Sequence, residues 1–217
     1  MGASKDLRDE FPSVLDRAYL ESKRYLKVEE IMSREVVTIT PEATMDKAAK
    51  IMGEKAAQMM IKKKRRLAVF DCGKLVGIIT ASDLIRSLPE APETMIKVDD
   101  FMTKKIFTAD EQMPVANVAK TMGEKRIGSV IVTSKGKPKG IFTERDLLTT
   151  FLAKGKSLSI PVGKAYSSPL ITAPSGISVH KAAYTMASKH IRRLPIAKDD
   201  KLVGIITARD LVEAYAK

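Results

Sequence analysis

A threonine followed three residues later by an aspartate occurs at three similar places, which are Thr80 and Asp83, Thr143 and Asp146, and Thr207 and Asp210. A helix beginning at such a threonine has unpaired N–H groups in its first turn, which suit a phosphate together with the hydroxyl. The short carboxylate can accept hydrogen bonds from a ribose diol, as an acidic residue does in dinucleotide-binding folds. The same spacing fits a helix capping box, although a capping box prefers Glu or Gln at its third position.

Two arginines, Arg192 and Arg193, come just before an apolar segment in the last third of the chain. In the repeat described below they align with Arg65-Arg66, whereas the middle copy has Gly128-Ser129. Arginine is the side chain best shaped for bidentate contact with phosphate. The alternative is a solvated surface pair. His190 lies beside the arginines and is at best an auxiliary phosphate contact.

No pattern in the sequence indicates catalysis or a metal centre. It contains no Walker loop, no Gly-x-Gly-x-x-Gly motif, no metal-spaced His/Cys cluster and no Ser/His/Asp arrangement. His180 and His190 are ten positions apart, which puts them on different faces of a helix. We therefore expect a protein that is not an enzyme, with no catalytic residue, catalytic cofactor or metal site.

The chain repeats itself three times. The segment Gly-Ile-Ile/Phe-Thr-x-Arg/Ser-Asp-Leu begins at Gly77, Gly140 and Gly204, at spacings of 63 and 64 residues. An upstream landmark keeps the same phase, since Ile31-Met32-Ser33 matches Phe101-Met102-Thr103 and, more weakly, Ala165-Tyr166-Ser167. Self-similarity of this kind indicates a repeat architecture in which each copy is one structural unit.

Each copy predicts the same order of elements: a short helical turn, an extended segment, an amphipathic helix, two strands joined by a polar turn, and a closing helix. In copy one, Thr40 followed by Pro41 predicts the start of the first helix. A single copy is too small to bury a core, so copies should pack in pairs.

Copy one has seven extra residues between its first helix and its second strand. Seven residues are close to two helical turns, so we expect a lengthened helix over about residues 42–62. Its Met-rich extension would contact a dimer partner or a client protein, or pack on the N-terminal helix. The basic run Lys62–Arg66 follows. A solvated helix C-terminus is favoured for this run over nucleic-acid binding.

The net charge of +12 favours phosphate-bearing partners such as nucleotides, nucleic acids or anionic lipid. Aromatic residues are only 5% of the chain and Trp is absent, which weakens a model of bases stacked on an aromatic platform. There is no apolar stretch long enough to span a membrane and no secretory signal at the N-terminus. The single cysteine, Cys72, fits a reducing cytosol, so we expect a cytoplasmic protein without a membrane partner.

With its upstream Met-Ser/Thr and its Arg-Arg-Leu-Pro-Ile strand, the repeat resembles the cystathionine-beta-synthase (CBS) motif over about residues 28–217. The resemblance implies a mixed α+β or α/β fold of tandem βαββα motifs, which pack through their sheets in pairs called Bateman modules. Such pairs bind AMP, ADP, ATP or S-adenosyl compounds in clefts between the motifs. We expect an N-terminal helical segment over 1–27 and motifs over 28–92, 97–157 and 161–217.

The resemblance also assigns roles to residues. It implies that the Asp of Thr-x-x-Asp holds the ribose, that the Thr lies near the phosphates, and that the basic residues before the central strand meet the phosphates. The adenine would lie between the first extended segment and the central strand. In copy three this indicates Ile171, Thr172, Ala173 and Pro195, although an ordinary core role is the stronger interpretation for Ile171.

An odd number of motifs leaves the pairing open. The link between copies two and three is typical of one Bateman pair, so we expect these two to pair within the chain. Copy one would then pair with copy one of a second chain, giving a homodimer. Alternatively, residues 1–27 are the remnant of a fourth motif, because Ser4-Lys5-Asp6-Leu7 faintly echoes Ala81-Ser82-Asp83-Leu84.

The leading hypothesis is a non-catalytic sensor whose regulatory ligand is AMP, ATP or S-adenosylmethionine and whose state is read by a client protein. The alternatives are a basic nucleic-acid-binding protein and a ligand-independent oligomerisation scaffold.

Overall fold

The computed structural model describes residues 27–53, 66–87 and 96–215. Within these ranges the chain forms three three-stranded sheets, one for each copy. In every sheet the first strand runs parallel to the central strand, and the last strand runs antiparallel to it. This confirms the predicted fold class of tandem βαββα units.

The elements follow the predicted order in each copy. Copy one contains α1 (Val28–Ile31), β1 (Thr38–Ile39), α2 (Met45–Gly53), β2 (Arg66–Asp71), β3 (Lys74–Thr80) and α3 (Ala81–Arg86). Copy two contains a 3₁₀ turn (Val98–Asp100), β4 (Thr108–Asp110), α4 (Val115–Lys125), β5 (Ser129–Ser134), β6 (Lys137–Thr143) and α5 (Glu144–Asp146), which continues as a wider π-type helix over Leu147–Leu152. Copy three contains a 3₁₀ turn (Val162–Lys164), β7 (Ala173–Pro174), α6 (Val179–Ser188), β8 (Arg193–Lys198), β9 (Lys201–Thr207) and α7 (Ala208–Tyr215).

The hairpins close through turns with positive φ. Asp199 and Asp200 join β8 to β9 with φ of 48° and 59°, and Lys135-Gly136 joins β5 to β6 in the same way. Turns with two positive φ values match the right-handed twist of the strands that they connect, and Asp and Gly tolerate that conformation best. The turn geometry fixes the register of each hairpin, and the register places the threonine of Thr-x-x-Asp at the strand end.

The first helix of copy one begins later than predicted. Thr40 and Pro41 lie in a turn, and α2 starts at Met45. The hydroxyl of Thr44 accepts a hydrogen bond from the N–H of Lys47 at 3.2 Å, so Thr44 makes the capping contact instead of Thr40. The helix is described to Gly53. Its predicted extension to residue 62, the Met-rich segment and most of the basic run lie outside the described residues. The predicted N-terminal segment over 1–27 also lies outside them, except for Lys27.

The chain divides into two compact units, each with its own core. Among the described residues, one unit contains 27–32 and Phe107–Ile171, and the other contains those within 33–106 and 172–215. In the first unit, an apolar cluster that includes Phe142 and Phe151 fills the space between the sheet and its helices, and the two rings meet edge to face at 6.3 Å.

In the second unit, the helices of copy one pack against those of copy three. Helix α7 contacts both α2 and α3, and α3 also contacts α6. Leu84, Ile85 and Leu211 are buried on these helices. Copy one therefore has a helical neighbour inside its own chain, which the sequence analysis did not foresee. The pairing of copies two and three through their sheets stays a prediction.

Two chain crossings link the copies. The segment that precedes β4 of copy two lies in the second unit, where Thr103 pairs with Ile205 of β9. The segment that precedes β7 of copy three lies in the first unit, where Ser167 pairs with Ile141 of β6. Copies two and three thus exchange the segments that lead into them. Within the described ranges, no helix combines the length and the apolar character needed to cross a bilayer.

Candidate functional site

The three Thr-x-x-Asp segments lie at the junction between the last strand and the closing helix of each copy. In every copy, Oδ2 of the Asp accepts hydrogen bonds from the backbone N–H and the hydroxyl of the Thr, at 2.6–2.9 Å. In copies one and two the Asp N–H also donates to the Thr hydroxyl, completing a capping box. The capping-box interpretation of this spacing is therefore confirmed in copies one and two, where the shorter carboxylate serves as the reciprocal cap.

The cap uses one oxygen of each carboxylate. In copy one the other oxygen, Oδ1 of Asp83, lies 3.7 Å from the guanidinium of Arg86, and the Asp83 side chain remains 43% exposed. The hydrogen bond from the Thr80 hydroxyl is the main cause that holds the pKa of Asp83 below its usual value, against the opposing effect of burial. The backbone N–H of Thr80 and the charges of Arg86 and Arg192 lower this pKa further. The carboxylate is therefore charged at neutral pH and can accept another hydrogen bond.

The strand register brings an arginine to the capping threonine in two of the copies. Arg193 is the cross-strand partner of Thr207, and Arg66 is the partner of Thr80. Residues that face each other across an antiparallel pair have their Cβ atoms about 5 Å apart. Copy two has Ser129 opposite Thr143 at this position. The hydroxyl and the guanidinium that the sequence analysis singled out thus lie together in copies one and three.

Arg192 and His190 lie at the entry to β8. The carbonyl of Arg192 accepts a hydrogen bond at 3.0 Å from the N–H of Ala208, the first residue of α7, while its side chain is exposed. Because the charge of Arg192 lowers the pKa of Asp83, this arginine of copy three lies near the carboxylate of copy one. The sequence analysis did not foresee this relationship between two copies.

The position of His190 is explained by the end of α6. His190 has a φ of 53°, and the N–H of the next residue, Ile191, donates to the carbonyl of Met186 at 3.0 Å. This is how a left-handed residue terminates a helix. The imidazole is exposed, and its contact with a phosphate stays a prediction. His180 lies elsewhere, with its Nδ1 3.3 Å from the hydroxyl of Tyr215, whose pKa is raised by burial.

The four residues proposed for the adenine lie at or just before the parallel pair of copy three. Ala173 is the first residue of β7 and is buried beside Ile196 of β8. Pro195 is buried one residue earlier in β8, Thr172 is exposed, and Ile171 is partly buried. Their contact with an adenine stays a prediction.

Two side chains were missed by the sequence analysis. Asp99 accepts hydrogen bonds from the hydroxyl of Ser175 at 2.5 Å and from the N–H of Gly176 at 2.7 Å. These bonds, led by that from Ser175, lower the pKa of Asp99. Arg209 lies inside the third Thr-x-x-Asp segment. Its Nε is shielded from solvent and has no hydrogen-bond partner in the part of the chain that the structure describes.

The chain matches one family of proteins along most of its length. The CBS domain family model matches residues 28–90, 98–153 and 162–217. Among curated proteins, the CBS domain-containing protein YhcV of Bacillus subtilis is 32% identical over 117 residues, which are 54% of this chain and 84% of that protein. Other relatives are longer, since the aligned part covers 62% of a Methanopyrus kandleri protein and 39% of one from Methanocaldococcus jannaschii.

Two solved structures resemble most of the chain. A conserved protein from Pyrococcus horikoshii superposes with a TM-score of 0.67 and 26% identity, covering 87% of this chain and 83% of its own. Protein MJ1225 from Methanocaldococcus jannaschii superposes with a TM-score of 0.71 and 24% identity, covering 93% and 76%. At this identity the likeness to the second protein shows the fold alone.

Proposed function

Because the chain belongs to the CBS domain family, whose members are regulatory modules, we propose that it is a non-catalytic sensor of an adenosine-containing ligand. The ligand would be AMP, ADP, ATP or an S-adenosyl compound, bound beside the Thr-x-x-Asp segments. A client protein would respond to the occupied state. The single exposed cysteine and the high net charge are compatible with the cytoplasm, where such ligands are abundant.

The observation that carries this proposal is the placement of Arg193 opposite Thr207, three residues before Asp210. One carboxylate oxygen of Asp210 is held by the cap, so the carboxylate is fixed before a ligand arrives. Its second oxygen would accept a hydrogen bond from a ribose hydroxyl, and the arginine would pair with a phosphate. An acceptor that is already fixed loses less conformational entropy on binding than a mobile side chain does.

Arg209 gives further support in copy three. A buried N–H donor without an acceptor costs free energy, on the order of 1–3 kcal/mol for a typical group. A phosphate or ribose oxygen near its Nε would remove that cost. Arg209 thus adds a donor of the kind that a nucleotide requires, next to the carboxylate that would hold the sugar.

One structural neighbour is compatible with this proposal, although its likeness establishes the fold alone. MJ1225 is described as a candidate archaeal homologue of γ-AMPK. From the family we infer a regulatory role for this chain. Ligand binding would shift the population of conformations that the client recognises, by an amount set by the difference in affinity between them.

Isothermal titration calorimetry with AMP, ATP and S-adenosylmethionine tests the proposal. We expect heat of binding from at least one ligand, and its loss in Asp210→Ala. Because Asp210 also caps α7, Asp210→Asn is the companion variant. It keeps one acceptor oxygen for the cap but removes the charge, so a folded Asp210→Asn protein with weakened binding separates the two roles.

Asp200→Asn serves as the control, because Asp200 is an exposed turn residue in the same copy and asparagine tolerates its positive φ. Its binding should match that of the wild type. Absence of heat for all three ligands with the folded wild-type protein, confirmed by unchanged melting temperatures in their presence, would reject the sensor and leave an oligomerisation scaffold.

A further inference from the structure

Each copy begins with a segment that we call its leader, namely residues 28–33, 98–103 and 162–167. The leaders of copies two and three dock on sheets other than their own. Thr103 exchanges two backbone hydrogen bonds of 2.9 Å with Ile205, and Ser167 exchanges bonds of 2.9 and 3.0 Å with Ile141. Each of these leaders thus adds one antiparallel bridge to the free edge of the sheet that receives it, in the manner of an added strand.

A valine anchors each docked leader. Val98 and Val162 are both fully buried, and their N–H groups donate to the carbonyls of Ile177 and Met113 at 3.0 and 2.8 Å. Val162 belongs to the apolar core of copy two, although it comes from the leader of copy three. The receiving sheet therefore completes its core with a residue from the leader.

A glycine in the receiving strand lets the leader cross. A Cβ at Gly204 would overlap the side chain of Met102, and a Cβ at Gly140 would overlap the ring of Tyr166 and the carbonyl of Ser167. Neither glycine has a positive φ, so close approach and not backbone conformation is the reason for glycine at these positions.

Copy one has the same receiving surface, but it is empty among the described residues. Gly77 is equivalent to Gly140 and Gly204, and a Cβ there would meet only Val69, at 4.0 Å. The next residue, Ile78, is 61% exposed. In copy three the equivalent residue, Ile205, faces Pro195, which has no N–H to donate. The backbone N–H and C=O of Ile205 therefore point away from the central strand. By the same register, Ile78 offers its N–H and C=O to a fourth strand.

A depression on the same sheet, between its strands and the start of α2, matches the place of the anchoring valine. Ile39, Ala43, Met45, Ala48, Val69 and Ile79 are among its lining residues. In the repeat these six are equivalent to Ala109, Met113, Val115, Val118, Val132 and Phe142, which belong to, or pack against, the apolar cluster of copy two that contains Val162. We call the depression and the free edge of β3 together the socket of copy one.

The leader of copy one has the features of the other two leaders but no receiving sheet in the described part of the chain. It forms the same short helical turn, yet Val28 is 75% exposed where Val98 and Val162 are fully buried. Met32, the equivalent of Met102, is 47% exposed. The leader and the socket of copy one thus both lack the contacts that their equivalents make.

We propose that a second copy of this chain fills the socket. The leader of copy one from each chain would dock on β3 of the other, with Val28 in the depression, Met32 across Gly77, and Ser33 paired with Ile78. Such an exchange is reciprocal and self-complementary, as a twofold interface requires. It repeats between two chains what copies two and three do within one, and it covers an exposed apolar edge strand that would otherwise promote aggregation.

Sedimentation equilibrium of the full chain tests the proposal together with Gly77→Val. We expect the wild type to have twice the monomer mass of 23.8 kDa. The variant should be monomeric at the same concentrations, with an unchanged circular dichroism spectrum, because a Cβ at position 77 meets only Val69 among the described residues of the monomer but would block Met32 in the dimer. A monomeric wild type, or a Gly77→Val dimer as stable as the wild type, would overturn the proposal.

Disulfide trapping identifies the occupant of the socket. In a Cys72→Ser background, a Met32→Cys chain is mixed with a Gly77→Cys chain and oxidised. We expect a disulfide-linked heterodimer in high yield, whereas a Glu42→Cys chain mixed with the Gly77→Cys chain should give little.

Hydrogen exchange at the Ile78 amide distinguishes another occupant, the chain's own N-terminal segment. That segment would fill the socket if the protein is monomeric and this amide exchanges slowly with solvent, but quickly after deletion of residues 1–26. That outcome would overturn the proposal and leave the ligand site untouched.

Discussion

Arg193 faces Thr207 across the β8–β9 pair, and this relationship joins two features that are 14 positions apart in the sequence. The same pairing joins Arg66 to Thr80, whereas Ser129 faces Thr143 in copy two. The copies therefore differ in charge at an otherwise equivalent site. If these sites bind nucleotides, copies one and three should favour ligands with more phosphate groups than copy two does.

The first prediction concerns Arg193→Ala. A hydrogen bond to a charged group contributes about 1.5–3 kcal/mol, so the affinity for ATP should fall by about 10- to 100-fold. The affinity for adenosine should stay the same, because adenosine has no phosphate. Calorimetry with both ligands measures the difference, and Lys201→Ala, an exposed change in the same hairpin, is the control. Equal losses for adenosine and ATP would contradict a phosphate contact.

The second prediction concerns the cap at Thr143. Replacing a capping threonine by alanine costs about 1 kcal/mol, which lowers the melting temperature of a chain of this size by about 2–4 °C. Thr143→Ala should therefore melt earlier, and Thr143→Ser, which keeps the hydroxyl, should melt close to the wild type. Differential scanning calorimetry of the two variants decides the matter. A Thr143→Ala protein as stable as the wild type would show that the cap contributes little.

The third prediction concerns pH and Asp99. Its pKa is lowered in the folded protein, mainly by the hydrogen bond from Ser175, so the folded state binds this proton less readily than the unfolded chain does. The resulting stability is fully present above the ordinary pKa of 3.8, and it is lost as the pH falls through the lower folded value. The measurement is urea unfolding between about pH 3 and pH 7, a range that includes the ordinary pKa of an aspartate. The free energy of unfolding should fall less steeply towards acid in Asp99→Asn than in the wild type. Identical pH profiles would argue against a role for this carboxylate.

Much of the fold could be predicted from the sequence, because the repeat fixes the order of elements and each element depends on local chemistry. The Thr-x-x-Asp segments were placed at helix starts for the same reason. The start of α2 was misplaced because Thr40 and Thr44 both suit a cap, and a local pattern does not choose between them. The chain forms a turn at Pro41, so the helix begins after Thr44 and not after Thr40.

The contacts between copies could not be predicted in this way. The two partners of Asp99, Ser175 and Gly176, lie 76 and 77 positions away in the sequence. The leaders dock on sheets to which they do not belong, and nothing in their own composition says which sheet receives them. The regular spacing of Gly140 and Gly204 was visible as part of the repeat. The reason for glycine at these positions became clear only from the side chains of Met102 and Tyr166, which cross them in the structure.

The fourth prediction compares two equivalent glycines, Gly204 and Gly77. Gly204→Val would force a side chain into Met102, and overpacking of this kind costs about 1–3 kcal/mol. Among the described residues a Cβ at Gly77 meets only Val69, at 4.0 Å, and valine favours a strand more than glycine does, so the isolated Gly77→Val chain should be as stable as the wild type or more stable. Urea unfolding at concentrations low enough to keep every chain monomeric measures both. Equal destabilisation by the two changes would mean that Gly77 is already covered within the monomer, and the empty socket of copy one would be disproved.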